Sequence, residues 1–405
     1  MTQDEPRLFV APVVDLITTD EGLEALVSVL TDDPGPVAID TERASGYRYE
    51  QRAYLIQLKT IAAGTHLIDP VEISASAFAD LDTVLKDKEW ILHAANQDLP
   101  SLRMSGLHPQ YLFDTEVSAR LLGREKVGLG FLVEDLLGVT LVKEHANSDW
   151  SQRPIPEAWL SYAAGDVEFL IQLADLLKVE LAQAGKTAWA QEEFSYTLTA
   201  PPPVPRPEPW RSTTDIHLVT NVYGMAVVRA LWEVRERIGK DLDLAPGRIV
   251  NSRAITALAA TATKNDFARG RRMLSRSDWG SKIARNHIEE FYDAIDEVED
   301  MDDDELPAMK GPRRGVPAPG LWPRKNPEAA ARWEAVRPAM KELAEDHGLP
   351  VENLISPRPL QTVMWEPQGF DPESLDRQFA EVDVRPWQRQ LIVPVISALL
   401  AELNQ

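Results

Sequence analysis

Cysteine is absent from all 405 residues. That excludes disulfides, zinc–thiolate sites and thiol nucleophiles. Long hydrophobic runs are missing too: the apolar stretch at residues 391–400 is too short to span a bilayer and contains Pro394. The opening MTQDEPRLFV has no basic segment ahead of an apolar one, so no secretory signal is expected, and a cytoplasmic protein is. No GxxxxGKS/T loop occurs, which argues against a nucleotide-driven accessory module. Positive charge is scarce, with 42 Lys and Arg against 64 Asp and Glu, a formal net charge of −22. Such a chain does not hold nucleic acid by bulk electrostatics, although a local basic patch or a metal-held phosphate stays open. The rest is ordinary globular composition, 44% hydrophobic and 26% charged, in a length suited to two or three domains.

The chain is organised around residues 37–42, VAIDTE, an apolar run entered after Pro34-Gly35-Pro36. It reads as a buried strand whose end carries Asp40 and Glu42 on one face, with Thr41 on the other. Two acids side by side repel unless a positive group separates them, and a divalent metal with oxygen ligands suits that place. A solvated acidic turn is the plain alternative.

Residues 21–30 have helical spacing, and residues 54–59, 65–69 and 90–93 read as further strands. Residues 78–85, 114–122, 131–137 and 159–177 read as helices. Another helix is expected to start near Asn96 or Gln97, with Asp98 in its first turn. This pattern predicts an α/β unit, a mixed sheet flanked by helices, over residues 1–200. Residues 201–212 contain PPPVPRPEPW, a stiff linker. Two similar helical segments follow, at residues 213–295 and 326–405. Each has a helix with Trp-Glu and Arg, a proline-bearing turn and an apolar pair, which points to an internal duplication. Between them, residues 296–325 hold DEVEDMDDDE and Gly311-Pro312-Arg313-Arg314-Gly315, read as a solvated linker.

Asp98 lies past the strand at 90–93, where an acid favoured by a helix N-terminus is the plain reading. Tyr162 and Asp166 are spaced i, i+4 and share a helix face. Each is weak alone, but together Asp40, Glu42, Asp98 and Asp166 supply four negative charges, matching two divalent cations in a site that cleaves phosphodiesters. Tyr162 would orient the attacking water. Its phenol, with an ordinary pKa of about 10, is not assigned as the base.

The ordered set Asp40-Thr41-Glu42, His93-Ala94-Ala95-Asn96-Gln97-Asp98-Leu99 and Tyr162-Ala163-Ala164-Gly165-Asp166-Val167 resembles the three exonuclease motifs of the DEDD superfamily, in its tyrosine-bearing branch. Ser161 stands where the histidine-bearing branch has His. Residues 128–170, with Lys143, Ser148-Asp149-Trp150 and Arg153-Pro154, and Phe113-Asp114-Thr115 upstream, are similar to the ribonuclease D family. The helical segments resemble the helicase-and-ribonuclease-D C-terminal (HRDC) domain, the second copy more divergent. The resemblance implies a ribonuclease-H-like α/β exonuclease domain followed by two small all-α modules. It implies 3′→5′ hydrolysis of RNA, with Asp40, Glu42, Asp98 and Asp166 as metal ligands and Tyr162 positioning water. It also implies two Mg²⁺ or Mn²⁺ ions as cofactor, structured RNAs such as transfer-RNA precursors as substrate, and nucleoside 5′-monophosphates as product. A monomer that binds RNA and no membrane is expected.

The main basic region is residues 264–287, where Lys264, Arg269, Arg271, Arg272, Arg276, Lys282 and Arg285 face only Asp266 and Asp278. Arg269, Arg271 and Arg272 are candidates for phosphate contact, against a solvated face that offsets neighbouring acids. Lys143 and Arg153 are candidates for contact with RNA phosphates, or for salt bridges near the site. His93 is read as a strand-end His satisfied by a neighbour, because a hard-metal site prefers oxygen. Trp150 is assigned to the core ahead of base stacking, and Trp159, Trp232 and Trp333 to packing. The competing functions are a single-stranded DNA exonuclease on the same fold and an RNA-binding protein with a vestigial site. Loss of any of the five site residues would favour the second, and all five are present.

Overall fold

The computed structural model describes residues 7–142, 145, 147–202, 204–264, 266–276, 279–312 and 315–403. The first unit runs β1 (Arg7–Phe9), β2 (Leu16–Ile17), α1 (Asp20–Thr31), β3 (Val37–Arg43), β4 (Ala53–Thr60), β5 (Gly64–Ile68), α2 (Ala75–Leu85), β6 (Glu89–Leu92), α3 (Leu99–Met104), β7 (Tyr111–Asp114), α4 (Thr115–Leu121), α5 (Leu129–Leu137), β8 (Val139–Leu141), α6 (Glu157–Glu168), α7 (Leu170–Gln183) and α8 (Thr187–Thr199). Six strands form a mixed sheet in the order β2-β5-β4-β3-β6-β7. The β3–β4–β5 ladder is antiparallel, and β2, β6 and β7 join in parallel. The central place of β3 follows from Val37, Ala38 and Ile39, buried with almost no exposure. Asp40 stands opposite Gln57 and Glu42 opposite Leu55, and the ladder shifts register between Glu42 and Arg43.

Local chemistry sets the helices. Thr19 caps α1 by accepting from Gly22 N–H, and Leu23, Leu26 and Leu30 fall on its buried stripe. The sequence reading differs from the structure in several places. Residues 159–177 are two helices, divided at Phe169, a turn residue at φ −108° and ψ 0°. Residues 111–114 form an edge strand before α4 starts, because Asp114 is that helix's cap rather than its first turn. Strands β1, β2, β7 and β8 are two to four residues long, too short for a periodic signal.

After the proline-rich segment come α9 (Val222–Asp241), α10 (Pro246–Ile249), α11 (Ser252–Ala259), α12 (Ala268–Leu274), α13 (Lys282–Asn286) and α14 (Ile288–Glu299). Then follow α15 (Trp322–Lys325), α16 (Pro327–Asp346), α17 (Val351–Leu354), α18 (Pro357–Trp365), α19 (Pro372–Glu381) and α20 (Pro386–Leu403). Both halves share an opening order, a 20-residue helix capped by Asn221 or Asn326 and then a four-residue helix; three short helices and a closing one follow in the first half, and two and a closing one in the second. Residues 296–299 of the acidic run belong to α14, and Trp322, placed in the linker by sequence, is fully buried.

The two halves pack differently. The first encloses its own core, including Trp210, Leu231, Leu258 and Phe291. The second continues the core of the sheet unit. Trp189 stacks on Trp387 with centroids 4.7 Å apart, and the Trp387 indole N–H donates to Glu193 at 2.9 Å. Lys186 donates to the carbonyls of Leu121 and His347, both at 2.7 Å. No described helix is long and apolar enough to cross a membrane.

Candidate active site

The alternation of β3 places Asp40 and Glu42 on one sheet face, and α6 packs against β3, β4 and β5. Tyr162 and Asp166 are one turn apart on α6. Carboxylate oxygens of Asp40, Glu42 and Asp166 all lie within 4.8 Å of one another. Asp98 comes from a different direction. It is the residue before α3, but its side chain makes no capping bond; it accepts from the Thr41 hydroxyl at 2.9 Å, with the Arg43 guanidinium 3.8 Å away. Arg43 also donates to the Gln97 carbonyl, which holds the loop before Asp98.

The four acids carry more negative charge than the site compensates. Burial first, then the charges of Asp98 and Asp166, push the Asp40 carboxyl well above its ordinary value. Burial and the other three acids raise Glu42 to about 10. Burial raises Asp98 to about 6, against the Thr41 hydrogen bond and the Arg43 charge. Burial raises Asp166 to about 7, with Asp98 adding to it, while the hydrogen bond from Tyr162 works the other way. Clustered hard oxygen donors short of positive charge are what divalent cations fit. The phenol of Tyr162 is pushed up as well, by burial and then by the charges of Asp166, Glu42 and Asp40. It is therefore a hydrogen-bond donor at neutral pH, not a base. Trp150, fully buried, and His145 pack on its ring at 6.4 and 6.0 Å.

Sequence reasoning missed the groups that position these acids. Asp114, 1% exposed, accepts from the backbone N–H of Ala94 and Ala95 at 3.1 and 2.7 Å while capping α4 through Glu116 and Val117. It pins the turn that leads to Asp98, where Ala94 has a φ of 59°. A cap is legible in Asp114-Thr115-Glu116, but its second use 20 residues upstream leaves no local signal. The loop from residue 44 to 52, which follows Glu42 and Arg43, is held from the first helical half. Asp243 accepts from Tyr49 and Glu50 N–H at 3.1 and 2.9 Å and from the Tyr54 hydroxyl at 3.3 Å. Ala245 N–H donates to the Tyr47 carbonyl at 3.0 Å, and Arg248 lies 3.8 Å over the Tyr47 ring. A cavity of about 290 Å³ opens there, lined by Glu42, Arg43, Tyr47 and Asn147 among others.

The basic candidates do not converge on the acids. Arg153 pairs bidentately with Asp69 at 2.5 and 2.7 Å and donates to the carbonyls of Trp150, Gln152 and Tyr54, so it takes the salt-bridge alternative. Lys143 lies outside the described residues. Arg271 is tied to Asp296 and Glu299, which matches the offsetting-charge alternative. Arg269 and Arg272 are exposed on α12, which packs on α11 and α14. Lys264 pairs with Asp303 at 2.9 Å, and Asp278 lies outside the described residues. His93 hydrogen-bonds Thr115 Oγ1 at 2.9 Å, and burial lowers its pKa to about 4, so it is neutral and already partnered.

A family model described as 3′–5′ exonuclease matches residues 14–182, and one described as 3′ to 5′ exonuclease C-terminal domain matches residues 315–400. Ribonuclease D of Gluconacetobacter diazotrophicus is 30% identical, over 87% of this chain and 86% of that protein. Ribonuclease D of Escherichia coli is 28% identical over 96% and 99%. Among solved structures, a Bifidobacterium adolescentis protein superposes with a TM-score of 0.87 at 32% identity, covering 98% of this chain and all of that one. Escherichia coli RNase D, described as an exoribonuclease involved in structured RNA processing, superposes with a TM-score of 0.67 at 25% identity over 97% and 100%. The motifs, the ribonuclease-H-like sheet and relatives aligned along nearly the whole chain agree: this chain belongs to the ribonuclease D family and is a 3′→5′ exoribonuclease.

Proposed function

We propose that Asp40, Glu42, Asp98 and Asp166 hold two divalent cations, Mg²⁺ or Mn²⁺, and that Tyr162 positions the attacking water. The observation that carries this reading is the convergence of Asp40, Glu42 and Asp166 within 4.8 Å, with Tyr162 one helical turn from Asp166 on α6. When bound, such ions activate water and stabilise the departing 3′ oxygen. The protein's share is placement. β3 and α6 fix three acids on rigid elements, and Thr41 and Arg43 orient Asp98. The buried Trp150 backs the Tyr162 ring, so its hydroxyl is aimed where a nucleophile approaches a phosphorus. Nucleoside 5′-monophosphates are the products, and 3′-extended transfer-RNA precursors and other structured RNAs are the substrates. The protein acts as a cytoplasmic monomer, with HRDC-type modules at residues 213–295 and 326–405 presenting the RNA.

The test uses a 3′-extended transfer-RNA precursor and a matched DNA strand, each labelled at its 5′ end. Wild type and Asp40→Ala are incubated with Mg²⁺, Mn²⁺ or EDTA. An RNA ladder shortening from the 3′ end, dependent on metal and absent in the variant, is expected. Equal or faster loss of DNA would overturn the substrate assignment. Cleavage by the variant, or in EDTA, would overturn the metal site.

A further inference from the structure

Gln57 lies in the middle of β4, directly across the antiparallel ladder from Asp40. Opposed residues send their side chains to the same face, so its amide sits on the face that carries the acid cluster. Gln57 is 0% exposed, and neither its amide nitrogen nor its amide oxygen has a hydrogen-bond partner among the described residues. Its neighbour on the other side of the ladder is Leu67, which offers no polar side-chain atom. An unpaired buried amide opposes folding, and a Leu or Met of similar bulk would fill the same space without that penalty. Stability therefore does not account for an amide here.

Asp40 is the natural recipient. It feels the charges of both Asp98 and Asp166, and its oxygens converge with those of Glu42 and Asp166, so it stands between the two sides of the cluster. No side chain, Gln57 included, donates a hydrogen bond to it among the described residues of the metal-free structure. We propose that Gln57 is a positioning residue: its Nε2–H, unpaired in the metal-free structure, donates to the Asp40 carboxylate when the acids hold cations, and so orients that ligand. A neutral amide suits this task better than Lys or Arg, because it orients the carboxylate without adding a positive charge that would compete with the ions. The inference rests on the reading of Asp40 as a metal ligand.

The test measures Mn²⁺ binding to full-length, EDTA-stripped protein by calorimetry, alongside the melting temperature of the metal-free form. Wild type, Gln57→Met, Gln57→Leu and Asp40→Asn are compared. Both Gln57 variants are expected to bind Mn²⁺ about ten- to a hundredfold more weakly, the usual effect of removing a group that orients a ligand. Their metal-free melting temperatures should match or exceed wild type. Wild-type Mn²⁺ affinity in the Gln57 variants, with binding lost in Asp40→Asn, would overturn the role of Gln57 alone. Lower metal-free melting temperatures in both Gln57 variants would also overturn it, since the amide would then serve the fold. Undiminished binding in Asp40→Asn would overturn the metal reading and this inference with it.

Discussion

Replacing Asp166 by Asn should make the metal-free protein more stable while destroying its activity. Burial, with the charge of Asp98, lifts the Asp166 carboxyl from 3.8 to about 7. A group whose folded-state pKa is raised is penalised when ionised: there is no penalty below pH 3.8, a growing one up to about 7, and a constant one above. At ~1.4 kcal/mol per pKa unit, a shift of about three units corresponds to roughly 4 kcal/mol at pH 8. Part of that load passes to Asp40, Glu42 and Asp98 when Asp166 is neutralised, so a gain of about 2–4 kcal/mol is expected at pH 8. Less than ~1 kcal/mol is expected at pH 4.5. The Asn oxygen remains an acceptor for the nearby Tyr162 hydroxyl. Urea titrations in EDTA, followed by tryptophan fluorescence at the two pH values, measure the difference. A loss of stability at pH 8, or an equal gain at pH 4.5, would refute the reasoning. In saturating Mg²⁺ the order should reverse, because cations remove the repulsion in wild type and bind the variant poorly.

Two further outcomes follow from the partners of single side chains. Arg153→Ala leaves Asp69 buried without its bidentate partner and should cost about 3–5 kcal/mol in the urea midpoint analysis, while RNA affinity of the folded protein stays at the wild-type level; a variant of normal stability with weakened RNA binding would return Arg153 to the phosphate-contact role. Asp243→Ala removes the acceptor for two backbone N–H groups of the loop beside Glu42. It should lower the single-turnover rate on RNA about tenfold or more with RNA affinity little changed, whereas a wild-type rate would show that the loop holds its shape unaided.

Four of the five candidate site residues lie in a local pattern of the sequence. Asp40 and Glu42 alternate on a strand, and Tyr162 and Asp166 repeat at a helical turn, so chain geometry alone puts each pair on one face. Asp98 was legible by type but not by setting. The residue expected in a helix's first turn precedes the helix, held by Thr41 and Arg43 from 57 and 55 residues upstream. Arg153 shows the opposite case: its charge suggested RNA, but Asp69, 84 residues away, claims it.

The sequence by itself determined the mixed α/β unit, through periodicity and turn residues that act over a few positions. It also carried the exonuclease reading, through three ordered motifs that resemble those of a known family. Only the tertiary structure decided that the second helical half continues the sheet's core while the first builds its own, and that Asp243 and Arg248 brace the loop beside Glu42. It also decided that Gln57 stands unpaired across from Asp40. These depend on which apolar faces meet and which distant backbone groups need partners, and short-range patterning does not encode either.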